Sequence, residues 1–169
     1  MAATMLSDAP ARVETGAPAD QASAMRLGVL IGDRRWLVEL SEAGEIVPLP
    51  AITSVPQTRD WFRGLVNLRG ALYTVVDLAR FSGASPIVAD KDTRLLALGA
   101  RLNFNASILV SRMLGLRSTA SMRPHAGNRD AEPRAAWQGP VWMDDAGLAW
   151  QELDLAALVQ DERFLQVGR

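Results

Sequence analysis

Apolar residues along the chain occur in short alternating runs, and turn-forming residues interrupt these runs every few positions. The pattern is typical of β-strands and hairpins and not of long helices. Its clearest example lies around Arg69-Gly70, where apolar runs over residues 65–68 and 72–76 flank a tight turn. An arginine at such a turn is positioned to display its cation, so this segment presents a charge instead of filling a core.

The strands fall into two clusters, which predict a mainly β fold of two small barrels and not a parallel sheet. The first barrel is predicted over about residues 25–84 and the second over about 92–153. A linker over residues 82–92, with Gly83 and Pro86, would join them. No strict internal repeat is visible between the two clusters.

The two ends of the chain differ in composition from the strand clusters. Residues 1–24 are rich in Ala, Asp, Thr and Pro, which predicts a disordered N-terminal tail, with a short helix possible over residues 17–25. Residues 154–165 place Leu155, Leu158 and Val159 on one side of a predicted C-terminal helix.

Composition limits the function classes open to the chain. Its 169 residues contain no cysteine, which excludes disulfides, thiolate nucleophiles and cysteine-ligated metals. Eighteen basic residues balance nineteen acidic ones, so no long-range attraction to nucleic acid or anionic lipid is expected. There is no apolar run of the roughly 20 residues that span a bilayer and no signal peptide, so we expect a cytoplasmic protein that does not insert into the membrane.

Residues capable of catalysis are few. His125 is the single histidine and stands beside Pro124 in a predicted loop, where a solvated side chain is the simpler interpretation. Asp144-Asp145 precede Ala146-Gly147, a sequence typical of a turn, although a small hydrolase using Asp144 stays open as an alternative. The sequence therefore predicts no enzyme activity, no metal site and no cofactor.

A second alternative is a barrel that binds single-stranded nucleic acid. Several arginines stand among aromatic residues in a way that could stack bases, although acidic residues interleave with them. They are Arg34, Arg35, Arg59, Arg63 and Arg69, with Trp36, Trp61 and Tyr73.

The segment from residue 62 to 70, FRGLVNLRG, followed by VVDL at residues 75–78, resembles the signature of the CheW-like coupling proteins of bacterial chemosensory systems. Glu45-Ile46-Val47 is similar to the Glu-Ile segment of that family, and the resemblance extends from about residue 26 to 165. Trp61 and the short C-terminal half look more like the PilI-type branch, which is associated with twitching motility and type IV pili.

This resemblance implies a fold of two five-stranded barrels side by side and a function without catalysis. Members of the family bridge the cytoplasmic tip of a methyl-accepting chemoreceptor and a CheA-type histidine kinase, so a cytoplasmic protein recruited to membrane receptor arrays is implied. By position, the functional loop of the family corresponds to Asn67, Leu68, Arg69 and Gly70. A stretch near the receptor-contacting groove corresponds to residues 43–46, from which Ala43, Glu45 and Ile46 are predicted to bind partners.

Overall fold

A computed structural model describes residues 18–126 and 134–169 of the chain. Four short α-helices occur in these ranges: α1 (Pro18–Ser23), α2 (Leu78–Phe81), α3 (Leu155–Leu158) and α4 (Glu162–Leu165). Among the described residues, no helix is long and apolar enough to cross a membrane. The same ranges contain eleven strands: β1 (Met25–Ile31), β2 (Arg34–Glu39), β3 (Ala43–Pro48), β4 (Phe62–Leu68), β5 (Ala71–Val76), β6 (Arg94–Leu98), β7 (Ala106–Val110), β8 (Arg112–Ser118), β9 (Arg123–Pro124), β10 (Gln138–Met143) and β11 (Ala149–Leu153).

The strands form two sheets, which confirms the predicted mainly β fold class. One sheet has six strands in the order β8-β1-β2-β11-β10-β9, and the other has five in the order β3-β6-β7-β5-β4. Neighbouring strands are antiparallel except for one parallel pair in each sheet, β2 with β11 and β5 with β7. The predicted hairpin at Arg69-Gly70 is present and joins β4 to β5. Gly32-Asp33, which the sequence also predicts as a two-residue hairpin turn, joins β1 to β2.

Each sheet is curled, and its two edge strands are connected by one stretch of chain. In the five-stranded sheet, β3 pairs with β6, and the chain beyond β3 returns to pair with β4 through two backbone hydrogen bonds between Thr53 and Leu65, of 2.9 and 2.8 Å. The approach requires glycine at position 64, because a Cβ there would lie 2.1 Å from the Thr53 carbonyl oxygen. In the six-stranded sheet the two end strands, β8 and β9, are likewise consecutive in the chain.

The two sheets are not consecutive halves of the chain, which corrects the predicted division into 25–84 and 92–153. Strands β1 and β2 belong with β8–β11, while β6 and β7 belong with β3–β5. The chain crosses from one sheet to the other at residues 40–42 and again at Ser111. Local apolar patterns identify strands but not their distant partners, so the prediction assigned the β1–β2 and β6–β7 hairpins to the wrong units.

The predicted linker over residues 82–92 lies within the five-stranded unit, since it connects α2 to β6. Its Ile87 is 6% exposed, and the Ile87 N–H donates to the Asp77 carboxylate at 2.8 Å. Asp77 is fully buried, also accepts from the Arg80 N–H at 3.1 Å, and pairs with Arg63 at 3.2 Å. Because a buried carboxylate requires such partners, this segment is fixed to the sheet and does not act as a spacer.

The predicted C-terminal helix over residues 154–165 is two short helices, α3 and α4. Asp161 begins a new helix by accepting from the Arg163 N–H at 2.9 Å, as Asp154 does for α3 with the Ala157 N–H at 2.7 Å. Helix α4 buries Phe164, whose ring stacks on Trp61 at 6.0 Å. At the other end of the chain, α1 lies inside the predicted tail 1–24, and residues 1–17 lie outside the described residues.

Candidate partner-binding site

The turn between β4 and β5 holds Arg69 in an uncommon backbone conformation. Arg69 and Gly70 both have positive φ, 51° and 84°, which is the geometry of the two-residue hairpin turns that match strand twist. Asparagine, aspartate or glycine is the usual residue at the first of these positions, and a bulky side chain there is unusual. The Arg69 side chain is 82% exposed, so the turn displays the guanidinium at the end of the sheet.

A bulge in β3 aims Glu45 toward that turn. Pairing of β3 with β6 shifts register between Ala43 and Ile46, so an extra residue enters the strand at this point. The bulge needs Gly44, because a Cβ there would lie 2.8 Å from the backbone oxygens of both Ala97 and Leu98. Bulges beside functional sites often redirect a side chain, and this bulge redirects the side chain of Glu45.

Glu45 and Arg69 form an ion pair although β3 and β4 are at opposite ends of the five-stranded sheet. The Arg69 Nε and Nη2 atoms donate to the same Glu45 oxygen, Oε1, at 3.0 and 2.8 Å. Curling of the sheet brings the two elements together. The pair is open to solvent, with 38% of the Glu45 side chain exposed, so it contributes about 0–1 kcal/mol to the free energy of unfolding.

The other predicted binding residues divide into exposed and packed ones. Asn67 is exposed, and its Oδ1 accepts from the Gly70 N–H at 2.9 Å. Ile46 is 39% exposed beside the ion pair. Ala43 and Leu68 are half-buried and pack against the hydrophobic core. The structure therefore brings Glu45 to Arg69, leaves Ile46, Asn67 and Gly70 exposed, and gives Ala43 and Leu68 a packing role as well.

One exposed apolar residue at this site is absent from the sequence prediction. Leu72 is 62% exposed and lies directly opposite Asn67 across the β4–β5 pair. Residues that face each other across two strands share one side of the sheet. Recognising that polar Asn67 stands opposite Leu72 would have indicated that this leucine faces solvent. Leu72 places an apolar side chain on the surface that also carries the displayed cation.

Asp144 has a structural partner for each carboxylate oxygen, which favours the predicted turn over a hydrolytic site. Its Oδ1 accepts from the Leu148 N–H at 2.8 Å and its Oδ2 from the Trp150 Nε1 at 2.9 Å. The hydrogen bond from the Trp150 indole, ahead of the one from the Leu148 amide, lowers the pKa of Asp144 below its usual range. Within residues 18–126 and 134–169, no three acidic or histidine side chains are placed to hold a metal ion.

The two tryptophans of the predicted nucleic-acid face do not form a stacking surface. Trp36 and Trp61 are 2% and 8% exposed, respectively, and both belong to the hydrophobic core. Arg63 pairs with the buried Asp77, and Arg69 pairs with Glu45. Base stacking requires exposed ring faces, and these two tryptophans do not present any.

Three comparisons with known proteins place the chain among its relatives. The sequence profile described as CheW-like domain matches residues 26–163. Protein PilI of Pseudomonas aeruginosa is 28% identical over 109 residues, which are 63% of this chain and 61% of that protein. Chemotaxis protein CheW of Helicobacter pylori is 32% identical over 72 residues, 43% of this chain and 44% of that one. Each match thus spans less than two thirds of the relative's own length.

The fold also has a counterpart among solved structures. The crystal structure of the scaffolding protein TtCheW from Thermoanaerobacter tengcongensis superposes with a TM-score of 0.64 at 18% sequence identity. The superposition covers 78% of this chain and 88% of that one. At this level of identity the likeness concerns the fold, and the arrangement of two curled sheets is what the two proteins share.

Proposed function

The chain belongs to the CheW-like domain family, as its sequence predicted, and we propose that it is a non-catalytic adaptor. In this proposal it couples methyl-accepting chemoreceptors to a CheA-type histidine kinase, from the cytoplasm and within membrane receptor arrays. The family match supports the adaptor role. The displayed surface around Arg69 supports the choice of binding site.

The observation that carries the proposal is the conformation of Arg69. A non-glycine residue in the left-handed region costs roughly 1–2 kcal/mol, and an exposed ion pair offsets only about 0–1 kcal/mol of this. Backbone strain of this kind lowers the free energy of unfolding, and strained residues cluster at functional sites. Leu72 and Ile46 add exposed apolar surface beside the cation, so the site combines apolar contact area with a charge that sets partner choice.

A co-sedimentation experiment tests this assignment. Membranes carrying a chemoreceptor are mixed with a CheA-type kinase, both from the source organism, and with the adaptor. We expect Arg69→Glu to abolish kinase recovery in the pellet, because the substitution replaces the displayed cation with a carboxylate that also repels Glu45. Arg112→Glu is the matched control, since Arg112 is also exposed and paired with one carboxylate, Asp92 at 3.4 Å.

Thermal unfolding of both variants checks that the fold survives. Arg112→Glu should retain kinase recovery, and Arg69→Glu should unfold within a few degrees of the unchanged protein. Wild-type recovery with Arg69→Glu would show that the β4–β5 turn is not the coupling site. Equal loss with both variants would indicate a general dependence on surface charge and would equally contradict the assignment.

We further propose that the pathway controls type IV pilus twitching motility, which the similarity to a PilI supports. Deleting the gene should reduce the twitching zone and leave swimming unchanged. Complementation with the unchanged protein should restore twitching, and complementation with Arg69→Glu should not. A swimming defect with normal twitching would reassign the adaptor to a flagellar pathway while keeping its coupling role.

A further inference from the structure

Asn67 and Gly70 are joined across the turn that displays Arg69. The Asn67 Oδ1 accepts from the Gly70 N–H at 2.9 Å, and Asn67 stands two positions before Arg69, the first of the two central turn residues. Asparagine and aspartate form such side-chain bonds to the backbone of turns, and thereby select one turn geometry. The bond encloses Leu68 and Arg69, so it acts directly on the segment whose conformation is strained.

We propose that Asn67 is a positioning residue that holds Arg69 in its left-handed conformation, and that it does not act by touching the partner. The functional consequence rests on the coupling role proposed above. Arg69 has no intrinsic preference for positive φ, so the turn needs an external bond to keep it there. The Asn67 side-chain oxygen accepts this bond, so it is already hydrogen-bonded in the free protein.

The consequence for the ion pair follows from geometry. If Arg69 relaxes to negative φ, its side chain leaves the end of the sheet where the β3 bulge presents Glu45. The two donors that now reach Glu45 Oε1 at 3.0 and 2.8 Å would then lose their acceptor. Asn67 thus controls the direction of the Arg69 cation through the Gly70 amide. Among the described residues, no hydrogen bond joins the side chains of Asn67 and Arg69.

Two substitutions separate positioning from contact. Asn67→Ala removes the acceptor, whereas Asn67→Asp keeps an oxygen at the same place. Exchange of the Gly70 amide proton in the free protein reports the bond itself. We expect roughly two- to tenfold faster exchange in Asn67→Ala and wild-type exchange in Asn67→Asp. Kinase recovery by co-sedimentation should fall at least about fivefold in Asn67→Ala and stay near wild type in Asn67→Asp.

A control and a third Asn67 variant keep the outcome decisive. Asn105→Ala removes another exposed asparagine from the same unit and should change neither measurement. Asn67→Ser offers a shorter acceptor and should give intermediate values in both. Unchanged Gly70 exchange in Asn67→Ala would overturn the positioning role. Protected Gly70 with lost recovery in Asn67→Asp would overturn it as well, because that result assigns Asn67 a direct contact.

The two proposals fail in distinguishable ways. If Arg69→Glu keeps full kinase recovery, the coupling site is elsewhere and the proposed function of this turn is wrong. Gly70 exchange in the Asn67 variants is measured without any partner, so it still decides whether Asn67 positions Arg69. Loss of recovery with Arg69→Glu but not with Asn67→Ala, despite faster exchange, would instead show that coupling tolerates a relaxed turn.

Discussion

The five-stranded and six-stranded sheets contain corresponding strands, hairpins and short helices in the same spatial order. In the five-stranded sheet, β3 is followed by the β4–β5 hairpin, α2 and the β6–β7 hairpin. In the six-stranded sheet, β8 and β9 are followed by the β10–β11 hairpin and α3, and the equivalent of the second hairpin, β1–β2, comes from the start of the chain. The parallel pairs β5–β7 and β11–β2 occupy the same place in the two arrangements.

This correspondence reaches the level of residues after the parallel strands. Residues 77–79 and 154–156 both read Asp-Leu-Ala, and each aspartate caps the short helix that follows. The leucines at 78 and 155 are 1% and 0% exposed, respectively. The repeat is hidden because the six-stranded unit begins in the middle of the chain and takes its last hairpin from the beginning.

The two units differ in how strongly these shared parts are held. Asp77 is buried and accepts from three groups, whereas Asp154 is exposed and caps only its own helix. At the hairpin tips, Arg69 points its charge outward, whereas the carboxylate of Asp144 is bonded inside its own turn. One framework therefore supports a displayed charge on the five-stranded side and a self-contained turn on the six-stranded side.

The largest expected effect separates the two capping aspartates. Asp77→Ala leaves the Ile87 amide without its acceptor and removes the buried carboxylate that pairs with Arg63, so we expect a loss of about 3 kcal/mol or more in the free energy of unfolding. Asp154→Ala removes one cap and should cost about 1 kcal/mol. For a chain of this size, melting temperatures should fall by about 6–12 °C and 2–4 °C, respectively.

Urea unfolding monitored by tryptophan fluorescence provides an independent estimate of both losses. Leu155, which follows Asp154, should be as sensitive to truncation as Leu78, because both side chains are buried. Similar losses for the two aspartates would mean that the buried network around Asp77 adds nothing beyond the cap. The contrast drawn between the two units would then be wrong in its energetic part.

Sequence patterns specified most elements of the fold but not how distant elements assemble. Alternation and turn residues identified the hairpins around Gly32 and Arg69, because those pairings involve neighbouring strands. Strand partners more than a hundred residues apart, such as β2 and β11, leave no local pattern. The single predicted C-terminal helix is wrong for a different reason, since the apolar stripe of Leu155, Leu158 and Val159 does not continue past Asp161, which caps a new helix.

The candidate site was predicted where the sequence motif and the turn chemistry coincide. Arg69 and Glu45 were both identified, yet their pairing depends on a closed sheet and a bulge that only the backbone reveals. Gly44 makes the bulge possible, and a glycine inside a strand pattern is the recognised sign of one. The strand pattern alone does not indicate that Leu72 faces solvent, because that depends on its pairing opposite the polar Asn67.

A second comparison concerns the two hairpin tips. Arg69→Gly places the residue best suited to positive φ in the β4–β5 turn, so stability should stay level or rise by about 1 kcal/mol while kinase recovery is lost. Gly147→Ala changes the β10–β11 turn in the opposite sense, since Gly147 has φ of 78°, and should cost about 1 kcal/mol without affecting recovery.

Calorimetry and co-sedimentation on the same preparations measure both properties. The informative result is a variant that becomes more stable and loses function, because it shows that strain at Arg69 is retained for binding. A clearly destabilised Arg69→Gly protein would mean that the ion pair to Glu45 outweighs the strain, and the turn would then be a stabilising feature.

A smaller effect is expected from exchanging the charges of the ion pair. Glu45→Arg combined with Arg69→Glu restores an attractive pair, so the free energy of unfolding should return to within about 0.5 kcal/mol of the unchanged protein. Kinase recovery should stay low if a partner reads the cation at position 69. Recovery restored by the double exchange would show that the pair acts only by holding the two elements together.

The smallest expected effects concern pH and have opposite signs at two carboxylates. Burial, and to a lesser extent the nearby charges of Asp154 and Glu39, raises the pKa of Glu42, although the Leu155 amide donates to it at 3.0 Å. The folded state then binds more protons than the unfolded state between the ordinary and the raised pKa, so Glu42 lowers stability as pH rises through that window. Asp144 behaves oppositely, because its lowered pKa adds stability that is lost as pH falls.

Melting temperatures of Glu42→Gln and Asp144→Asn between pH 3 and 7 should show this difference directly. Relative to the unchanged protein, Glu42→Gln should melt higher at neutral pH and Asp144→Asn lower, with both differences shrinking toward acid pH. Glu42 lies where the chain passes between the sheets, whereas Asp144 lies in a hairpin of one sheet. Two curves of the same sign would show that the crossing at residues 40–42 is solvated like an ordinary turn, and that burial does not raise the pKa of Glu42.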